Sequence, residues 1–303
     1  MSSPHPGSPR FPALHRLAIS RPGSLALVVF AIVSIQLGAS IAKRLFPLAG
    51  AYGTAALRLT LAGLMLWATF RPWRTPIPRG ARQALLVYGI SLGAMNLLFY
   101  LALQTVPQGL AVALEFTGPM AVSMLAARRP LDFLWLGCAI AGLLLLLPTA
   151  GGAAIDPLGA ACALGAGACW GLYMVFGQKA GGEHGMATTA WGMLIAATVV
   201  VPVGVWHDGS RLLNPVLLLP GLAIALMSSA LPYSIEMFAL QHIPVRSFGI
   251  LMSLEPALGA LSGLLLLDEH LGLRQWIAIA AVIVASIGTT LTLPARPALP
   301  AAD

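Results

Sequence analysis

Long apolar runs separated by short polar breaks make up most of this chain, and the runs set its plan. A helix that crosses a bilayer needs about 20 mostly apolar residues. Breaking the chain at Pro, Gly and charge clusters leaves ten such segments, approximately 25–45, 50–70, 82–103, 107–127, 132–148, 158–178, 187–206, 216–239, 244–267 and 273–292. Their apolar positions are continuous rather than arranged in the stripe of a half-wet helix. The predicted class is therefore an all-α polytopic membrane protein with ten transmembrane helices. At Pro107 and Pro244 two spans meet with almost no loop between them.

Composition excludes a soluble alternative. Of 303 residues, 58% are hydrophobic and 9% charged, against about 25% charged in a soluble domain; mean hydropathy is +0.86. A net charge of +7 would suggest nucleic acid in a soluble protein. Here the basic residues lie between apolar runs, where they act as topology signals, and no finger, RNA-binding or phosphate-loop pattern occurs. With an even number of spans both termini share one side. That side holds Arg10, Arg16, Arg21, Arg71, Arg74, Arg79, Arg82, Arg128, Arg129, Lys179, Arg246 and Arg296, and the other holds Lys43, Arg44, Arg211 and Arg274. Twelve against four predicts cytoplasmic termini. Residues 1–22, rich in Pro, Ser and Arg, read as a disordered cytoplasmic tail, and 294–303 as a second one. The run after the first tail ends in Lys43-Arg44 and leads at once into more spans, so it reads as an uncleaved helix rather than a signal peptide. Cys138, Cys162 and Cys169 lie in apolar stretches without CxxC spacing, and no disulfide, metal or cofactor is expected.

The chain also repeats itself. Ala102-Leu103-Gln104-Thr105-Val106-Pro107 matches Ala239-Leu240-Gln241-His242-Ile243-Pro244 at an offset of 137 residues, which also pairs Pro119 with Pro256 and Ser91 with Ser228. Lys43 and Lys179 end the first spans of the two halves. Five helices per repeat is an odd number, so the halves 23–150 and 151–293 would enter the membrane from opposite faces, as a 5+5 inverted repeat. Secondary transporters use this plan, rocking two halves around a site near the midplane.

Charged residues inside the spans mark that site. Arg58, Glu115 and Glu255 lie well within predicted spans, and Glu236 lies toward the cytoplasmic end of another. At 1.5 Å rise per residue, Glu115 falls roughly 12 Å beyond Pro107 and Glu255 roughly 16 Å beyond Pro244. A charge at that depth costs about 2.5–3.5 kcal/mol even on the lenient insertion scale. Either Arg58 neutralises a glutamate in a pair that only fixes packing, or these groups line a cavity that binds substrate or a proton. A carboxyl group in a partly dry cavity can exchange a proton near neutral pH, which is what a proton-coupled carrier needs. Gln36, Asn96, Tyr100, Trp170 and Tyr233 are polar or amphipathic residues within spans that could complete the site. Pro119 and Pro256 should kink the helices beside the glutamates. An intramembrane enzyme would need a nucleophile or metal set, but no HExxH, GxSxG or paired-Asp motif is present. A scaffold or receptor has no need of mid-membrane charges in both halves.

These features resemble the ten-helix drug/metabolite transporter superfamily built on the EamA-type repeat. Within it, Val112-Ala113-Leu114-Glu115-Phe116-Thr117-Gly118-Pro119, Ala163 through Trp170, and Leu251-Met252-Ser253-Leu254-Glu255-Pro256 resemble the bacterial inner-membrane threonine/homoserine exporters. Ser34 through Ser40 and Arg128-Arg129-Pro130-Leu131-Asp132-Phe133 fit as well, and the resemblance covers about residues 25–293. It implies efflux of L-threonine and L-homoserine driven by protons, with a broader drug or metabolite exporter as the alternative. The oligomeric state is left open.

Overall fold

A computed structural model describes residues 21–75, 77–125, 130–146, 156–181, 185–240 and 251–292. Pro244, the rest of the second hexapeptide from 241 on, Arg246, Arg128, Arg129 and nearly all of both tails lie outside these residues. Every long element among the described residues is helical: α1 Arg21–Ala49, α2 Ala51–Phe70, α3 Arg82–Ala102, α4 Gln108–Glu115, α5 Thr117–Leu125, α6 Pro130–Leu146, α7 Pro157–Gly181, α8 Gly185–Leu212, α9 Leu218–Ala225, α10 Leu231–Leu240, α11 Glu255–Leu267 and α12 Leu273–Thr292. A π turn over Leu226–Ala230 joins α9 to α10. Among the described residues, six stretches are long and apolar enough to cross a membrane: Pro22–Ala49, Ala51–Phe70, Arg79–Ala102, Pro157–Ala180, Gly185–Leu212 and Pro215–Glu236. Phe133–Gly142, Glu255–Leu267 and Leu273–Gly288 are shorter apolar helices.

The segment expected to span 107–127 is two helices, α4 and α5, with a break at Phe116. Proline chemistry explains it: Pro119 has no N–H to give to the carbonyl of Glu115, four residues back. The 251–267 stretch repeats the device, with a turn at Ser253–Leu254 just before Glu255 and Pro256 open α11.

The bundle is inside-out relative to a soluble protein. Phe30, Leu64, Leu86, Ile90, Leu144, Leu172 and Leu265 are exposed, while Gln36, Arg58, Asn96, Gln108, Glu115 and Glu255 are buried. Such an apolar exterior suits lipid, where only a helix can satisfy its own backbone. Trp67 and Trp73 near the end of α2 and Trp206 on α8 are also exposed, as in the aromatic belts of membrane interfaces.

The most extensive seams join α3 to α7, α2 to α8, and α6 to α12; α3 also packs on α8, α4 on α7 and α11, and α1 on α10 and α11. Alternate connections meet at one end. There Thr105 donates to Asp156 (2.8 Å) and the Gly53 N–H donates to Asp208 (3.0 Å), so a side chain from α8 caps the start of α2. Lys43 donates to the Val106 carbonyl (3.2 Å) at the same end.

Candidate functional site

Ala51, Ala55, Leu59, Ala62 and Leu66 give α2 a buried face at helical spacing, and Arg58 lies on it, 5% exposed. Its guanidinium carbon stands 4.9 Å above the centre of the Tyr100 ring, a cation–π contact from α3. Two of its buried nitrogens, Nε and Nη2, have no hydrogen-bond partner, nor does the buried Tyr100 hydroxyl. Among the described residues the ion pairs are Lys43–Glu269 and Asp208–Arg211. Arg58 therefore does not form the packing pair with a glutamate that the sequence allowed. Its charge reaches Tyr100, Glu115 and Tyr233 instead.

Glu115 is the last residue of α4 and is buried. The break after it presses on α7, because a Cβ placed on Gly167 would overlap the Glu115 carbonyl oxygen. Phe116 in the break stands edge-on to Trp170, ring centres 5.6 Å apart. Gly167→Ala should thus move the Glu115 backbone. Overpacking of this kind costs about 1–3 kcal/mol, and a lowered thermal midpoint of the purified protein would show it. An unchanged midpoint would mean that the contact between α7 and the break is loose.

Glu255, at the first position of α11, is buried and feels the charges of Glu236 and Glu115. The Glu236 Oε1 atom is buried without a partner, as are the hydroxyls of Ser228 and Ser229 in the π turn. Turns of this type recur at functional sites. Tyr233 lies within electrostatic reach of Arg58, Glu236 and Glu115. Asn96 donates one amide N–H to the Leu92 carbonyl of its own helix (2.8 Å).

Gln36 belongs to another network. The Gln108 amide donates to the Gln36 carbonyl (2.8 Å) and to its Oε1 (3.0 Å), and the Ser40 hydroxyl donates to Gln108 Oε1 (2.7 Å). Ser40 and Ser262 share a hydrogen bond of 2.7 Å. Gln108, Ser262 and Glu269 went unnoticed in the sequence, and Lys43 was read only as a charge ending the first span. Tyr88 and Tyr173 were also missed. Their ring centres stack 4.9 Å apart, and Glu236 lies within electrostatic reach of both. The reasoning that selected Tyr100 and Tyr233, a tyrosine within an apolar span, would have found them.

A buried unpartnered cation, several buried carboxyl groups and interrupted helices suit a carrier, and known proteins agree. Residues 157–291 match the EamA-like transporter family. The threonine/homoserine exporter RhtA of Salmonella typhimurium (strain SL1344) is 52% identical over 280 residues, 92% of this chain and 95% of its own length. The exporter of the same name from Escherichia coli (strain K12) is 53% identical over 270 residues, 89% of this chain and 92% of its own. One crystal structure superposes with a TM-score of 0.59 at 20% identity, covering 90% of this chain and 98% of that one, a likeness of fold. These relatives are exporters, not enzymes. Identity over half the positions along nearly the whole length places the chain in a family: it belongs to the EamA-like transporters, in the branch that holds the threonine/homoserine exporters.

Proposed function

We propose that this protein exports L-threonine and L-homoserine across the inner membrane in exchange for protons, by alternating access in ten spans arranged as a 5+5 inverted repeat. The observation that carries the reading is Arg58, a buried cation with two unpartnered nitrogens among Tyr100, Tyr233 and Glu115. A planar guanidinium with free donors suits a carboxylate, and the named substrate of the relatives is an amino acid. Arg58 holds the substrate carboxylate; Glu115 or Glu255 takes the ammonium or the exchanged proton; Asn96, Tyr100 or Tyr233 contacts the side-chain hydroxyl. Glu236, Gln36 and Trp170 complete the pathway in this reading, and Pro119 and Pro256 provide its hinges.

The seams between helices support the two repeats, 23–150 and 151–293. Exchange α1 with α7, α2 with α8, α3 with α9 and α10, α4 with α11, and α6 with α12. The α3–α7 seam then falls on α1–α10, α3–α8 on α2–α9, and α4–α7 on α1–α11, while α2–α8, α4–α11 and α6–α12 fall on themselves. A pseudo-two-fold axis in the membrane plane produces that pattern. Lys43, Arg44, Arg211 and Arg274 belong to the end where α1 meets α2, and Arg71, Arg74, Arg79, Arg82 and Lys179 to the other. The bias supports cytoplasmic termini, with short terminal tails at 1–22 and 294–303.

Uptake of labelled threonine into inverted vesicles tests the proposal. Accumulation should follow an imposed proton gradient and collapse with it. Absence of threonine movement by folded protein would remove the substrate and leave the family standing. Competition by unrelated solutes would favour the broader drug/metabolite exporter.

A further inference from the structure

From the network around Lys43 we infer that Lys43 and Glu269 are positioning residues that latch the outer end of the transport pathway shut, so that substrate at Arg58 leaves past Phe46 and Tyr100 only when the latch opens. "Outer" rests on the orientation proposed above; the latch itself rests on geometry.

Lys43 lies on α1 and Glu269 just beyond α11, one in each half of the chain. Lys43 Nζ is 2.7 Å from Glu269 Oε1, and the pair is mostly shielded, with side chains 21% and 13% exposed. The other carboxylate oxygen, Glu269 Oε2, accepts the backbone N–H of Gln108 at 2.7 Å. Gln108 is the first residue of α4, where an acid is favoured by the unsatisfied N–H groups and the helix dipole. One carboxylate therefore ties α1 to the start of α4.

The two short helices at this knot lead directly to the central glutamates. α4 runs from Gln108 to Glu115, and α11 runs from Glu255 to Leu267, two residues short of Glu269. They pack so closely that a Cβ on Gly109 would overlap Ala260. Ser262 of α11 donates to the Gln36 carbonyl of α1 at 3.1 Å, alongside the Gln108 and Ser40 bonds. Thus α4 and α11 form a unit with the latch at one end and Glu115 and Glu255 at the other. A movement of either end is felt at both.

What the latch closes is a thin barrier. A cavity of about 360 Å³ opens at the same end, lined by residues that include Phe46, Tyr52, Gln104, His207 and Arg211. Its Phe46 wall packs on Tyr100, ring centres 5.7 Å apart, and Tyr100 lies beneath the Arg58 guanidinium. Phe46 is three residues from Lys43, on the next turn of α1. Two rings separate the vestibule from Arg58, and the salt bridge holds the helix that carries the first of them.

The test places a thiol behind the barrier. In full-length protein with Cys138, Cys162 and Cys169 replaced by Ala, Asn96→Cys is labelled from outside whole cells with a membrane-impermeant maleimide. Labelling should be slow with the latch intact and faster in Lys43→Glu by at least about fivefold, the low end of the coupling carried by a two-state element. Lys43→Arg, which keeps the cation and leaves the Glu269 bond to the Gln108 N–H in place, should preserve slow labelling, which a role in stability alone would not predict. Equal labelling in latched and unlatched proteins, or fast labelling in a folded Lys43→Arg variant, overturns the inference. If Lys43→Glu does not reach the membrane, the nearly isosteric Glu269→Gln provides the same comparison. Labelling needs no threonine, so a latch that opens in a protein moving no threonine would refute the substrate and keep the gate.

Discussion

Arg58→Ala is expected to abolish threonine efflux while leaving the protein at least as stable as the wild type. The guanidinium has unpartnered nitrogens in the buried core of the bundle. A charge at that depth costs about 2.5–3.5 kcal/mol on the insertion scale, and no ion pair among the described residues offsets it. What removal loses is its stacking on Tyr100, worth about 0.5–2 kcal/mol, and its charge beside Glu115 and Tyr233. Transport has the opposite sign. Truncating one partner of a desolvated charge pair costs about 2–5 kcal/mol, so a carboxylate ligand should bind some thirtyfold to several-thousandfold more weakly. Arg58→Lys keeps the charge but loses the planar fork, and its affinity should fall between the two. Threonine binding measured by calorimetry and thermal melts of the purified variants decide the matter. A variant that melts much lower and still exports would make Arg58 a structural residue.

The sequence disclosed what lipid selects and hid what pairing decides. Apolar runs marked the helices well because a bilayer enforces length and hydrophobicity directly. Arg58, Glu115 and Glu255 stood out for the same reason in reverse: lipid rejects them, so their presence had to serve something. Pro119 and Pro256 disclosed the interruptions beside the two glutamates, although not that the 107–127 segment would break cleanly at Phe116. The outer network was invisible because it depends on distant partners. Lys43 and Glu269 are 226 residues apart, and either alone is an ordinary charge at a helix end. Gln36 illustrates the limit from the other side. Its polarity inside a span suggested the pathway, but composition could not say that Gln108 occupies its amide oxygen and backbone carbonyl. The tyrosines divide likewise. Tyr100 and Tyr233 were singled out and Tyr88 and Tyr173 were not, although all four lie in spans and only their neighbours differ.

Glu115→Gln should uncouple transport without stopping it: exchange of labelled for unlabelled threonine persists, while accumulation driven by a proton gradient disappears. The amide keeps the size of the carboxyl group and loses its proton chemistry, so the Gly167 and Trp170 contacts around the break have no reason to change. One charge moved across 100 mV is worth about 2.3 kcal/mol, which sustains roughly a fiftyfold concentration ratio at 1.36 kcal/mol per decade. Loss of that coupling brings the ratio toward one, an effect large enough to read directly from vesicle accumulation. Glu255 and Glu236 are in electrostatic contact with each other, and Glu255 with Glu115, so the same substitution in each is the necessary control. If Glu115→Gln still accumulates threonine and Glu255→Gln does not, the proton travels on α11, and Glu115 serves the substrate ammonium. If all three accumulate it, coupling lies outside this cluster. Loss in Glu115→Gln alone would assign the proton to the end of α4, the half-helix whose other end is held by Glu269. Proton uptake at Glu115 and opening at Lys43 would then act on the same short rigid element, which is how a buried carboxyl group can command a gate one half-helix away.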